Sequence, residues 1–205
     1  MNKRIQEQAK NINWQDTTAV QRFYETNEVY FDNYNSLTDP DEIEDVINMK
    51  SHYLAALLAK DNYTYGLLIA NHIDLLLKRI KEKSSNHRYL NERNDFHKGA
   101  LLGHSKKYKE SYDIFQKLRE INPDNGVYKN WITDLKKNLL TAKLQIISYI
   151  GLAMVFADIL SELLFDYDFD RRIVISGFVL AILPWLIPAG LKIIRKPKTA
   201  PNQGA

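Results

Sequence analysis

The chain has 205 residues, a formal net charge of +3, 45% hydrophobic and 26% charged side chains, and no cysteine. Length and apolar content allow one or two packed domains and argue against a wholly disordered chain. The missing cysteine rules out disulfide frameworks, thiolate metal sites and thiol nucleophiles. With only 8 Gly and 6 Pro among many Leu, Ile, Lys, Asn and Tyr, the expected fold class is all-α.

Charge is distributed unevenly. Residues 1–60 hold 6 Lys/Arg against 10 Asp/Glu, residues 61–143 hold 16 against 10, and residues 144–205 hold 6 against 5. The basic middle contains no dense Lys/Arg block, so no nucleic-acid partner is expected. A solvated helical face is the plain reading of this middle, and a surface for phosphate or lipid headgroups is the other. The start, Met1-Asn2-Lys3-Arg4, runs into Ile5-Gln6-Glu7-Gln8 and not into an apolar stretch, so no secretory signal is expected.

In chain order, a helix rich in aromatics is predicted from Thr17 to Asn35, with Phe23, Tyr24, Tyr30, Phe31 and Tyr34. Leu37-Thr38-Asp39-Pro40 stops and restarts the chain. Asp39 can cap and Pro40 suits the first helical position. Asp41, Glu42, Glu44 and Asp45 then favour the positive end of a helix running to about Lys60. Asp61-Asn62 turns into a long helix from Tyr63 to about Lys83, and Ser84-Ser85-Asn86 breaks it. A further helix is predicted from about His87 to Gly103.

His104-Ser105-Lys106-Lys107 then makes a tight turn. Gly99 falls where the helix before it needs no side chain. Ser111 is small where the helix after it crosses. Tyr108, Phe115 and Leu118 supply an apolar face, and Pro123 stops that helix after Asn122. Gly126 to Leu140 can form one more helix, with Trp131 and Leu135 packing back on Phe115.

Gly99, Tyr108, Ser111, Phe115 and Pro123 together resemble one unit of the tetratricopeptide repeat, a 34-residue helical hairpin with small residues, aromatics and Pro at fixed positions. Placing Pro123 at the thirty-second position puts Gly99 at the eighth, Tyr108 at the seventeenth, Ser111 at the twentieth and Phe115 at the twenty-fourth. Asp95, at the fourth, departs from the pattern. Upstream, Tyr63, Gly66 and Ala70 copy some of the spacing. The strong likeness covers about 35 residues, and a plausible array covers about residues 40–140.

The resemblance implies antiparallel helical hairpins whose first helices line a groove for a protein or peptide partner. It points Arg93, His97, Ala100 and His104 to that surface, and Asn130 and Trp131 could extend it. The first four fall at i, i+4, i+7 and i+11, one helical stripe; its plain reading is a half-buried helix face. Phe96 and Ala100 stand where chaperone-binding members carry Lys and Asn, so no chaperone-tail binding is expected.

No nucleotide-loop, zinc-protease or hydrolase motif is present. His97 and His104 lack an acidic residue at ligand spacing. Arg93 and His97 are too close for the Arg-to-His ribonuclease motif. Neither catalytic residues, nor a metal, nor a cofactor is expected.

Two apolar stretches follow, Leu144–Phe165 and Ile173–Ile194, each of 22 residues, or about 33 Å as helix, enough to cross a bilayer core. Pro184 and Pro188 suit a membrane helix better than a soluble one. The first stretch contains Asp158 and Glu162 on one face. Either the span slides back to about Leu139–Ala157 and leaves both carboxylates at the far headgroups, or that face meets a partner, water, or Arg171 and Arg172. The short connection predicts a hairpin, and Ala153 with Ala157 and Gly177 with Ala181 could let its helices approach.

Lys129, Lys136, Lys137 and Lys143 precede the pair, and Lys192, Arg195, Lys196 and Lys198 lie at its end or beyond it. This bias predicts both termini on the cytoplasmic side, and the expected membrane is of the bacterial inner type. The expected organisation is a helical domain over 1–143, a membrane hairpin over 144–195 and a disordered tail over 196–205. The expected function is a membrane-anchored adaptor that recruits a partner protein. The rival reading is an oligomeric two-span effector that disrupts or perforates the membrane when its helical domain senses a trigger.

Overall fold

The computed structural model describes residues 3–33, 36–81, 84–165 and 171–194. The tail at 196–205, the connection at 166–170 and Tyr34 lie outside them. Nine helices and no strand occur among the described residues: α1 (Lys3–Lys10), α2 (Thr17–Thr26), α3 (Glu28–Asp32), α4 (Pro40–Ala59), α5 (Tyr63–Ile80), α6 (His87–His104), α7 (Tyr108–Ile121), α8 (Gly126–Phe165) and α9 (Arg171–Ile194). The chain divides into two compact units, residues 1–136 and 137–205.

Local chemistry explains most boundaries. The Asp16 carboxylate caps α2 by accepting from the Thr18 and Ala19 amides. Asp39 does the same for α4 from the Asp41 amide, and Pro40 opens that helix. Lys106 takes a left-handed φ of 62° in the turn between α6 and α7. The one long aromatic helix expected from Thr17 to Asn35 is instead two. Asn27 interrupts it, with its side-chain amide donating to the Phe23 carbonyl and to Gln8. A side chain that competes for backbone groups weakens the helix there, and the break turns Phe31 inward, where it is fully buried.

In the first unit α4–α5 and α6–α7 form successive antiparallel pairs, with α2 and α6 both packed on α4. The larger core gathers Phe23, Tyr24, Phe31, Ile47, Leu54, Ile73, Leu77 and Leu101. A smaller one joins Phe115, Leu118, Tyr128, Ile132 and Leu135. Where α6 crosses α7, a Cβ on Gly99 would lie 2.9 Å from the Phe115 ring. The buried Ser111 hydroxyl donates to the Gly99 carbonyl at 2.7 Å. Trp131 stacks on Phe115 with centroids 5.0 Å apart. Gly66 serves in the same way on α5, where a Cβ would meet Leu101 of α6 at 2.7 Å. Close backbone approach between helices needs small residues at these crossings.

In the second unit the C-terminal half of α8 and α9 run antiparallel. The Ser148 hydroxyl donates to the Ala181 carbonyl at 2.8 Å. Gly151 faces the backbone of Gly177 and Ala181 so closely that any Cβ there would overlap them. The expected small residues on α9 are therefore used. On α8 the contact is made by Ser148 and Gly151, while Ala153 and Ala157 are exposed. Among the described residues one helix is long and apolar enough to cross a membrane, over Gly126–Glu162. Around it Ile146, Tyr149, Ile150, Phe156, Ile159 and Leu160 are all more than half exposed. Water would not favour so wide an apolar belt.

Candidate partner-binding face

Helices α4 and α6 lie side by side and present one face with Asn48 and His52 on the first and Arg93 and His97 on the second. The Arg93 guanidinium donates to the Asn48 side-chain carbonyl at 3.3 Å. Trp14 leans on His52, with centroids 4.7 Å apart, and Phe96 meets the His97 ring edge-on at 5.7 Å. His97 Nδ1 is buried without a hydrogen-bond partner of good geometry, although the Arg93 carbonyl lies nearby. Burial, then the Arg93 charge, push the His97 pKa down to about 4. His52 is lowered in the same sense, by burial first and Arg93 second. Both imidazoles are therefore neutral at pH 7.

Beside Arg93 a cavity of about 500 Å³ opens along α6 and the start of α8. Helix α6 supplies Tyr89, Glu92, Arg93 and Phe96; the α7–α8 connection and α8 supply Asn122, Asn125, Val127 and Tyr128. Its rim is open, with Tyr89 65% and Val127 51% exposed. The Tyr128 hydroxyl donates to Glu92 at 2.7 Å. That bond, after burial, raises the Tyr128 pKa and leaves Glu92 an oriented acceptor. The lining is thus aromatic and apolar with a few placed polar groups, the usual make-up of a binding cavity.

The six residues expected at this face are distributed as follows. Arg93 and His97 lie together on it. Ala100 is 1% exposed and belongs to the interior, a correction to its expected surface role. One position of the stripe at i, i+4, i+7 and i+11 turns inward, because α6 packs against both α5 and α7. His104 sits at the far end of α6, stacked on Tyr63 at 5.2 Å and edge-on to Trp131 at 5.7 Å. Trp131 is largely engaged by Phe115, and Asn130 is exposed. His104 and Trp131 thus form their own contact, separate from the Arg93 cavity, whose lining includes neither.

In the second unit Asp158 lies two turns beyond Gly151, toward the end of the crossing where α9 begins. It is half-buried, and Glu162 and Arg172 are exposed. The Arg171 side chain lies outside the described residues. Among the described residues no group of three or more His, Asp or Glu side chains could hold a metal ion.

Sequence reading missed a buried polar centre. Lys50 is fully buried; its ammonium donates to the Tyr24 hydroxyl at 2.6 Å and approaches Asp32 at 3.4 Å. Tyr24 stacks between Phe31 and Tyr53, at 4.7 and 3.9 Å. Burial lowers the Lys50 pKa to about 8 even though Asp32 acts to raise it. Burial raises that of Tyr24, with Asp32 adding to it. The signal was available: Lys50 interrupts the apolar stripe Ile43, Val46, Ile47, Tyr53, Leu54, Leu57 on α4. Asn94 interrupts the α6 stripe in the same way. It is fully buried, and its amide donates to the Ala70 carbonyl at 3.2 Å and to Asp74 at 2.6 Å.

No family model matches the chain, and no curated protein or solved structure matches it either.

Proposed function

We propose that this protein is a membrane-anchored adaptor. Its helical unit, built of tetratricopeptide-like hairpins, takes a partner protein or peptide at the α4–α6 face. Its C-terminal hairpin holds it in the bilayer with two spans, α9 being the second. The observation that carries the reading is the pairing of two features in one chain: an open, aromatic-lined cavity at Arg93 and a broad exposed apolar belt on α8 and α9. The first is a binding surface; the second needs lipid. Lysines before the first span and after the second support cytoplasmic termini, and a membrane of the bacterial inner type fits that arrangement. The resemblance at Gly99, Ser111 and Phe115 supports a recruiting role and not catalysis.

The test uses full-length protein in native membranes. A photo-crosslinking residue at Tyr89 should capture a distinct partner, and Arg93→Glu should abolish capture while leaving the protein membrane-bound. The chain has no cysteine, so single Asn202→Cys variants report the side of the C-terminus by labelling of sealed vesicles. A large homo-oligomer that captures nothing and falls apart on Asp158→Leu would replace the adaptor by the effector reading.

A further inference from the structure

Arg93 is set into the α4–α6 face with less company than a half-buried guanidinium normally has. It carries five N–H donors. Among the described residues its one hydrogen bond goes to a neutral amide, that of Asn48, and no carboxylate pairs with it. The nearest acid in sequence, Glu92, is held by the Tyr128 hydroxyl. Asp95, further along α6, accepts from Asn91 at 3.1 Å, and Asp74 on α5 is taken by Asn94 and Lys98. Partly burying an arginine without a counter-ion is unfavourable, and such a group gains strongly from an incoming anion.

The surroundings point the same way. His52 and His97 flank Arg93, Glu92 in the cavity lining already accepts from the Tyr128 hydroxyl, and residues 61–143 hold 16 Lys/Arg against 10 Asp/Glu. Tyr89, Phe96 and Val127 line the adjoining cavity, so the anion would arrive beside an apolar group. The rim is too open to enclose a small molecule, which normally loses most of its surface to a site. A chain passing across the face suits it better.

We propose that the partner segment recognised here is an acidic peptide, with an Asp or Glu carboxylate on the Arg93 guanidinium and a neighbouring aliphatic or aromatic side chain in the Tyr89–Phe96–Val127 cavity. This rests on the adaptor reading above and names the chemistry of its partner. Arg93 supplies a forked, charge-assisted pair of hydrogen bonds; the cavity supplies apolar burial; each is needed beside the other.

The probe is an array of ten-residue peptides, each holding Asp or Glu next to Leu, Ile or Phe. Matched copies carry Asn or Gln in place of the acid, and others carry Lys. Full-length protein in nanodiscs is applied to it. The acidic class should bind best, and amide replacement should weaken binding about ten- to hundred-fold, the usual worth of a hydrogen bond to a charged group. Arg93→Gln should erase the preference for acid, and Arg93→Lys should restore some of it. Val127→Asp should weaken every class. Circular dichroism of each variant checks folding.

If neutral or basic peptides bind equally well and Arg93→Gln changes nothing, the acidic inference falls while the adaptor stands. If no class binds, both fall. If acetate or inorganic phosphate displaces the peptides at equal concentration, the site takes a free anion and the peptide assignment is overturned.

Discussion

Replacing Lys50 by Met tests how the core of the helical unit tolerates a buried ammonium. The side chain is fully buried, bonded to Tyr24 at 2.6 Å, with Asp32 at 3.4 Å and that carboxyl 43% exposed. Its pKa falls from 10.5 to about 8. A group whose folded pKa is depressed contributes stability at high pH that is lost as pH falls through the folded value. Below about pH 8 both states carry the proton and the burial cost stands in full. From pH 8 upward the folded state releases the proton while the unfolded chain keeps it, so stability rises. At about 1.4 kcal/mol per pH unit, the gain by pH 10 is about 2–3 kcal/mol. Above pH 10 the trend reverses, because the raised pKa of Tyr24 keeps its proton in the fold while the unfolded tyrosine ionises.

Lys50→Met should therefore flatten the rise between pH 8 and 10. At pH 7 it should be neutral or stabilising, since Asp32 remains hydrated and Tyr24 keeps Asp32 as a partner at 3.4 Å. The assay is urea unfolding of full-length protein in micelles, followed by near-ultraviolet circular dichroism of the Tyr24–Tyr53 stack and compared with wild type at each pH. A slope that survives Lys50→Met, or a loss of more than about 2 kcal/mol at pH 7, would refute the reasoning and make the Lys50–Asp32 pair a net stabiliser.

Acid should act through His97. Its folded pKa of about 4 lies below the ordinary 6.5, so stability present above pH 6.5 should fall by about 3 kcal/mol on going to pH 4; His97→Gln should remove most of that fall in the same urea assay. Ser111→Ala breaks the buried bond to the Gly99 carbonyl and should cost about 1 kcal/mol, and a midpoint equal to wild type would contradict that. Gly99→Val forces a side chain against Phe115 and should cost about 1–3 kcal/mol by overpacking; the thermal midpoint in micelles reads it. Gly151→Leu should separate the two apolar helices, so disulfide formation between Ser148→Cys and Ala181→Cys should drop sharply in that background. Unchanged cross-linking would mean the helices do not meet at Gly151 in the bilayer.

The sequence by itself determined the all-α class, the order of the helices and most of their ends. Those features rest on local chemistry: Asp39 and Pro40 start α4, Ser105 to Lys107 turn the chain, and Pro123 ends α7. The apolar stretch in α8 is equally local, because a run of such side chains is hydrophobic whatever packs beside it. Gly99, Ser111 and Phe115 were legible as a crossing because small and large residues at hairpin spacing complement each other. Tertiary structure alone decided which side of each helix faces a neighbour. Ala100 is buried because α6 packs on α5 and α7 as well as on α4, and Gly151 is the crossing residue because α9 happens to meet it. The cavity at Arg93 and the Lys50–Tyr24–Asp32 centre join side chains far apart in sequence. Periodicity on one helix places Lys50 on an inner face but cannot say that Tyr24 and Asp32 wait there. That depends on how three elements share space, which no stretch of sequence contains.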